Sequence, residues 1–450
     1  MTPQSNFMVL APVAPGLEGD LRGLLLTMNG LPGMAKPDNP LVPFGVFDTL
    51  HFARFVILND ATLDDLKVFG PAAEFPDAPI YLAFLGDCDG PADLLLADFA
   101  RRAGDGLRQI FAFCAGFDPH GDLLQWMKSH SLKPAANYVN WIGRTVRQIH
   151  EEAALHKALS SYLATLCLDD PPQQIRRALI RAVSEKGPRL TGEAPTPIDW
   201  QIRRLLTILA AVLAAVIVLL PLLKFSFGAA LLVYGAILIL IGAAAAVFLV
   251  HLRRHETTDP DVQGPPKPPS NAHLLALGQL QDHDVTNQYT ALGSFKPGPF
   301  PRWTTTVIWW LVNLATPILY PRGNLARIKT IHFARWVFLD GKRRGLFASN
   351  YDGSSESYMD DFVNKVSFGL NLTFGQGVGY PRTHFLLWGG AQREQEFKNV
   401  QRRHALPTEV WYKAYPGLTL VDIERNGRIR EGLKPKSMSN AEIRQWLSDI

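Results

Sequence analysis

The chain has 450 residues, enough for two or three domains, and a formal charge of only +4 with no long Lys/Arg run. That balance excludes the basic stripe of a nucleic-acid binder. Three cysteines, Cys88, Cys114 and Cys167, form no CxxC pair, which argues against a disulfide framework or a cysteine zinc site and suits a reducing compartment.

In chain order, the N-terminus has no basic stretch leading into an apolar core, so no secretory leader is expected. FMVLAPV reads as a strand and EGDLRGLLLTM as a helix. HFARFVIL (51–58) and PIYLAFLG (79–86) read as strands, the first aromatic and β-branched enough to be half-buried. DLLLADFARR (93–102) has the apolar spacing of a helix, and ANYVNWIG (136–143) reads as a closing strand. PQQIRRALIRAVSEK (172–186) predicts a basic amphipathic helix, either close to a membrane or with a solvated face.

Residues 205–223 and 228–250 are two uncharged apolar runs; the first nearly crosses a hydrocarbon core of about 30 Å and the second is longer, so both are expected to be transmembrane helices. The KFSF between them predicts a tight antiparallel hairpin turning near Pro221. Gly228, Gly235 and Gly242 recur on one helix face, and Ala210, Ala211, Ala214 and Ala215 give a small surface to the other, so the helices are expected to pack closely there. Arg203 and Arg204 precede the hairpin and Arg253 and Arg254 follow it, which predicts an integral membrane protein with both ends and both large flanks in the cytoplasm. ETTDPDVQGPPKPPSNA then reads as a stiff linker. The run 303–320 is apolar but interrupted by Thr304–Thr306, Asn313 and Pro317; it is expected to be a helix at the headgroup layer and not a third span.

The flanks match one another. HFARFVIL at 51 returns as HFARWVFL at 332; residues 84–99 align with 347–362 without a gap, setting Asp89 on Asp352 and Gly90 on Gly353; His130, Tyr138 and Gly143 fall on His404, Tyr412 and Gly417. Three blocks in one order predict an internal duplication. Each copy reads β-α-β-β-α-β, so the expected fold class is α+β, with tandem duplicated ferredoxin-like units separated by the two-helix hairpin. The implied boundaries are 1–165, a juxtamembrane helix and linker at 166–202, the hairpin at 203–252, the Pro-rich linker at 253–272, and 273–450.

Chemistry is sought in the repeated polar residues. Strand alternation sets His51 and Arg54 on opposite faces, and His332 and Arg335 likewise, unless the strand is bulged. Asp89-Gly90 and Asp352-Gly353 end a strand before a helix, where Asp accepts backbone N–H bonds and Gly permits positive φ. The second copy surrounds its pair with more polar groups, including Asn350 and Tyr351. Arg335, Asp352, His332 and Asp89 are therefore the catalytic candidates, and Asn350, Tyr351, Arg54 and His51 the ligand-binding ones. A short turn between the two strands predicts Arg335 beside Asp352 at one end of the second sheet.

Paired ferredoxin-like units resemble the dimeric α+β barrel superfamily, and Gly86-Asp87-Cys88-Asp89-Gly90 resembles the G-x-x-D-G motif of dye-decolourising peroxidases. That resemblance implies haem, with Asp89 as distal acid, Arg335 as distal Arg, and His332, His384 or His404 as iron ligand. The second copy departs from it by carrying Ser349 where the motif has its first Gly.

Two functions follow. One is a membrane-anchored barrel that binds or acts on an apolar or lipid-like small molecule, with haem-dependent, peroxidase-like oxidoreductase chemistry being what the peroxidase resemblance adds. The other is a non-catalytic membrane-tethered interaction scaffold. The bilayer is the expected partner of both, and nucleic acid of neither.

Overall fold

The computed structural model describes every residue except 71–77, 168, 193–194, 225–226, 324 and 435–436. The N-terminal half contributes β1 (Gln4–Pro12), α1 (Glu18–Leu26), a ribbon of β2 (Asn29–Leu31) and β3 (Met34–Ala35), β4 (Leu50–Leu58) and β5 (Tyr81–Asp89). Helices α2 (Ala92–Arg102), α3 (Gly104–Phe111) and α4 (Leu123–Ser129), β6 (Ala136–Val139), α5 (Val146–Leu163) and α6 (Pro172–Lys186) follow. The long helices α7 (Ile198–Lys224) and α8 (Phe227–Thr258) come next, then α9 (Asn271–Leu280). The C-terminal half runs β7 (Thr286–Ser294), α10 (Pro299–Leu319), β8 (Ile331–Leu339), β9 (Arg344–Asp352), α11 (Ser355–Phe374), β10 (Thr383–His384), β11 (Trp388–Gly389), α12 (Glu394–His404), β12 (Val410–Lys413), α13 (Leu420–Gly432) and α14 (Asn440–Asp449).

The fold is α+β, with one sheet ordered β1-β5-β4-β12-β3-β2 and another ordered β6-β8-β9-β7. The closing strands are exchanged. β6 pairs antiparallel with β8 of the other half, Tyr138 opposite Ala334, and β12 pairs with β4, Tyr412 opposite Ala53. This corrects the expectation that each half closes its own sheet. The physical reason is visible in the acceptors: β4 and β8 carry the same HFAR sequence, so a four-residue strand meets an equivalent edge on either half.

β4 is buried on both faces, not half-buried: every one of its residues is interior. Ala53, Phe55 and Ile57 join α1–α4 in one core, while Ala334 and Trp336 join α10–α12 in another. The opposite faces meet: Val56, Leu58, Ala83 and Leu85 of one sheet pack against Val337, Leu339, Leu346 and Ala348 of the other. A four-helix cluster of α5, α6, α13 and α14 closes one end around Leu155, Leu179, Ile429 and Trp446. Ile175 and Leu179 thus give the apolar face of α6 to protein.

Helices α7 and α8 contain apolar stretches, Ile198–Leu220 and Leu231–Thr258, whose most apolar 18 residues have mean hydropathy 2.4 and 2.6 and include nothing buried. They are long and apolar enough to cross a membrane. The turn residues Phe225 and Ser226 lie outside the described residues. The expected glycine seam is not formed: a Cβ at Gly228, Gly235 or Gly242 would meet no atom within 4 Å. The helices touch instead through Tyr234, whose hydroxyl donates to the Val218 carbonyl. Helix α10 is anchored to the body by buried Trp309, whose indole donates to Thr373 O at 3.0 Å, and by Thr316 to Asn137 O at 3.0 Å. Its other face leaves Trp303, Trp310 and Ile318 exposed at 65, 60 and 66%.

Candidate functional site

The repeated strand carries a bulge at the same place in both halves, between Leu50 and Phe52 and between Ile331 and Phe333. An extra residue there turns consecutive side chains toward one side. His51 therefore reaches the same layer as Phe52 and Arg54, and His332 the same layer as Phe333 and Arg335. This layer between the sheets holds most of the candidate site.

The His–Asp pairs are clamps. His51 Nε2 lies 3.0 Å from Asp89 Oδ1, and its Nδ1 3.1 Å from the Tyr415 hydroxyl. The other Asp89 oxygen accepts from Val146 N, the first residue of α5, at 2.9 Å. His332 Nε2 lies 2.7 Å from Asp352 Oδ1, which also accepts from Thr286 Oγ1 at 3.0 Å, while Oδ2 accepts from Leu420 N, the first residue of α13, at 2.7 Å. Each carboxylate thus faces the positive end of a helix whose N-cap is already built, by Thr145 with Gln148 and by Thr419 with Asp422. The helix served is the one after the exchanged or departing closing strand, not the one directly after the Asp-Gly turn. Gly90 and Gly353 have φ of 74° and 89°, so the turn itself requires glycine.

The arginines cross between the sheets. Arg54 donates to Tyr289 O and Thr290 Oγ1 at 2.9 Å each, to Ser349 O at 2.8 Å, and to Asn350 Oδ1. Arg335 donates to Phe7 O and Gly86 O at 2.9 Å each and to Asp87 Oδ1. Asn350 Nδ2 closes the network on Asp87 Oδ2 at 3.1 Å. The expected contact of Arg335 with Asp352 is absent: the guanidinium stands on the inward face and spans to the first half, where Asp87 is its carboxylate. Burial, then the nearby Arg335 charge, push the Arg54 guanidinium down to about 9. Burial pushes the Asp87 carboxyl up, against the pull of Arg335 and Arg54. The network of Arg54, Arg335 and Asn350 contains one carboxylate, Asp87, whose aligned position in the other half is Asn350.

Side chains fill this layer. Phe52, Phe333, Trp411 and Tyr415 close one end and the aliphatic contacts between the sheets the other. Gly86 belongs to the same packing: a Cβ there would stand 2.3 Å from Phe52 O and 2.7 Å from the Phe7 ring. Tyr351 is on the outer face, stacked on Tyr358 at 3.8 Å. The histidines do not converge. His332 is held in the layer, His384 is exposed in the short strand β10, and His404 bonds Leu292 O at 2.9 Å beside a cavity of about 70 Å³. Asp89 and Arg335 have their bonding positions taken by protein, so this set of residues does not fit a haem. Among the described residues no group of three or more His, Cys, Asp or Glu could hold a metal ion.

A much larger cleft, about 1450 Å³, lies beside the start of α7. Helix α7 lines it with Trp200, Arg203, Arg204, Thr207 and Ile208, and α10 with Trp310, Asn313, Leu314, Pro317 and Ile318. Both sets have the i, i+3, i+4, i+7, i+8 spacing of one helix face. Trp141, Arg144, Arg322 and α13 complete it. The loop after α10 is fixed to the body by Gly323 N to Asn140 O at 2.5 Å and Ile142 N to Pro321 O at 3.3 Å. The sequence does not disclose this site, although Arg203, Arg204 and the apolar run at 303–320 each point to a membrane surface. What it lacked was the strand exchange, which brings 141–144 and α13 together. Compared with known family models, with curated proteins and with solved structures, the chain finds no match.

Proposed function

We propose that this is a membrane-anchored binding protein for an amphiphilic, lipid-like molecule, and that its inter-sheet layer is a structural core with no catalytic role. In this reading the hairpin spans the bilayer, and the two flanks are tandem ferredoxin-like copies with exchanged closing strands, both cytoplasmic. The single observation that carries it is the contrast between two regions. The layer with the repeated polar residues is closed by its own side chains, while the large cleft opens where the first apolar helix begins and mixes guanidiniums with aromatic and aliphatic groups. Sidedness has its own support: exchanged strands interlock the halves, so an even number of crossings must separate them, and arginines flank the hairpin at both ends.

The test is chemical. Protein extracted from membranes in mild detergent is expected to be colourless and to release a bound phospholipid or other amphiphile in mass spectrometry. A Soret band, or protein free of any amphiphile after gentle extraction, would overturn the proposal. Exposed Cys167 gives a native reporter of sidedness, since Cys88 and Cys114 are buried. An impermeant maleimide should label it in inverted vesicles and not in intact cells, with Ser448→Cys behaving in the same way.

A further inference from the structure

We infer that the cleft between α7 and α10 is a site for an anionic lipid headgroup, a phosphate ester whose acyl chains lie along the first membrane helix; this rests on the amphiphile-binding reading above and names its ligand class. The argument is one of charge accounting within the cleft. Most of its basic groups are neutralised by protein. Arg144 pairs with Glu152 and stacks 3.8 Å from the Trp141 ring centroid; Arg428 meets Asp449 at 2.8 Å; Arg430 lies 3.6 Å from Glu152; Lys434 meets Glu431 at 2.6 Å.

Three are not. The guanidiniums of Arg203, Arg204 and Arg322 make no ion pair and no side-chain hydrogen bond among the described residues. Two come from α7 and the third from the loop pinned to the body, so three positive charges from separate parts of the fold face one space. Guanidinium is the group best shaped for bidentate phosphate binding, and Trp200 and Trp310 in the same lining suit the headgroup level of a bilayer. Ile208, Leu314 and Ile318 supply the apolar contact that a free phosphate would not use. The position is where an anionic surface attracts basic side chains, each worth roughly fivefold in affinity.

The experiment uses the full chain, delipidated in detergent and titrated with phosphatidylglycerol or phosphatidylcholine under native mass spectrometry. Phosphatidylglycerol is expected to bind at least about tenfold more tightly. Arg203→Gln/Arg204→Gln/Arg322→Gln should remove that preference, and Arg322→Gln alone should reduce it. Arg254→Gln, exposed near the end of α8 and outside the cleft lining, should leave it intact. An unchanged preference in the triple variant, or an equal loss with Arg254→Gln, would overturn the site. Glycerol phosphate that binds as tightly as the lipid would overturn the lipid source in favour of a soluble phosphate. Equal retention of both lipids would refute the headgroup assignment and leave the amphiphile reading standing, whereas retention of neither would remove both.

Discussion

Arg54 and Arg335 occupy equivalent strand positions and each bonds the backbone of the opposite sheet, so the two halves are sewn together at their most buried point. Among the described residues, Asp87 is the one carboxylate bonded within their network. Removing it should be severe, because a buried charge without its partner keeps its desolvation cost and loses its compensation. Asp87→Asn is expected to destabilise the protein by about 3–5 kcal/mol, read as a denaturant midpoint in detergent. Asp89→Asn should do less, on the order of 1–2 kcal/mol, since it weakens one helix-terminal bond and the His51 contact. A larger loss for Asp89→Asn than for Asp87→Asn would contradict this ranking. At this scale the sequence showed which residues recur and suggested a structural use for the Asp-Gly turns. It could not show their partners, because alternation places His51 and Arg54 on opposite faces and only the bulge reverses that.

The exchanged strand β12 is held in its foreign sheet by a buried acid immediately before it. Glu409 receives the Ile57 backbone N–H at 2.9 Å and the Arg22 guanidinium, and its own carbonyl accepts from Asn29 at 2.7 Å. Burial pushes its carboxyl up from 4.5 to about 7, with Arg22 and the Ile57 amide acting the other way. A folded value above the unfolded one means that the folded state holds the proton more tightly. Its stabilising contribution is then full below about pH 4.5 and is lost as pH rises through 7, a span worth about 3 kcal/mol. The melting temperature should therefore fall between pH 5 and 8 by more in the native protein than in Glu409→Gln. Identical slopes for the two would show that Glu409 does not titrate in this range. The strands themselves were readable from alternation and aromatic content, and β4, β5, β8 and β9 lie where the sequence put them. The partner of a four-residue closing strand was not, since nothing in AANYV or EVWYK distinguishes two edges that both read HFAR.

Across the whole molecule, exchange changes what holds the halves together. Separate copies on a linker would be tethered only by chain connectivity, and the hairpin would be their sole link. Here β12 lies in the first sheet, β6 in the second, α5 packs on α13, and the inter-sheet layer is buried between them. Length, apolarity and flanking charge of α7 and α8 were legible at once, as was the sequence recurrence of the two flanks; the interlock was not, because it arises from contacts made far apart in sequence. It carries a direct consequence for the linker at 259–270. Gly264 is exposed, and a Cβ there would meet nothing within 4 Å, so a protease site can be inserted beside it with little disturbance. After cleavage, the fragment with α7 and α8 and the fragment with α9 to α14 should elute together in detergent, because each supplies a strand to the other's sheet. They should part only at the denaturant concentration that unfolds the sheets. Fragments that separate under native conditions would show that covalent connection, and not strand exchange, keeps the two halves in place.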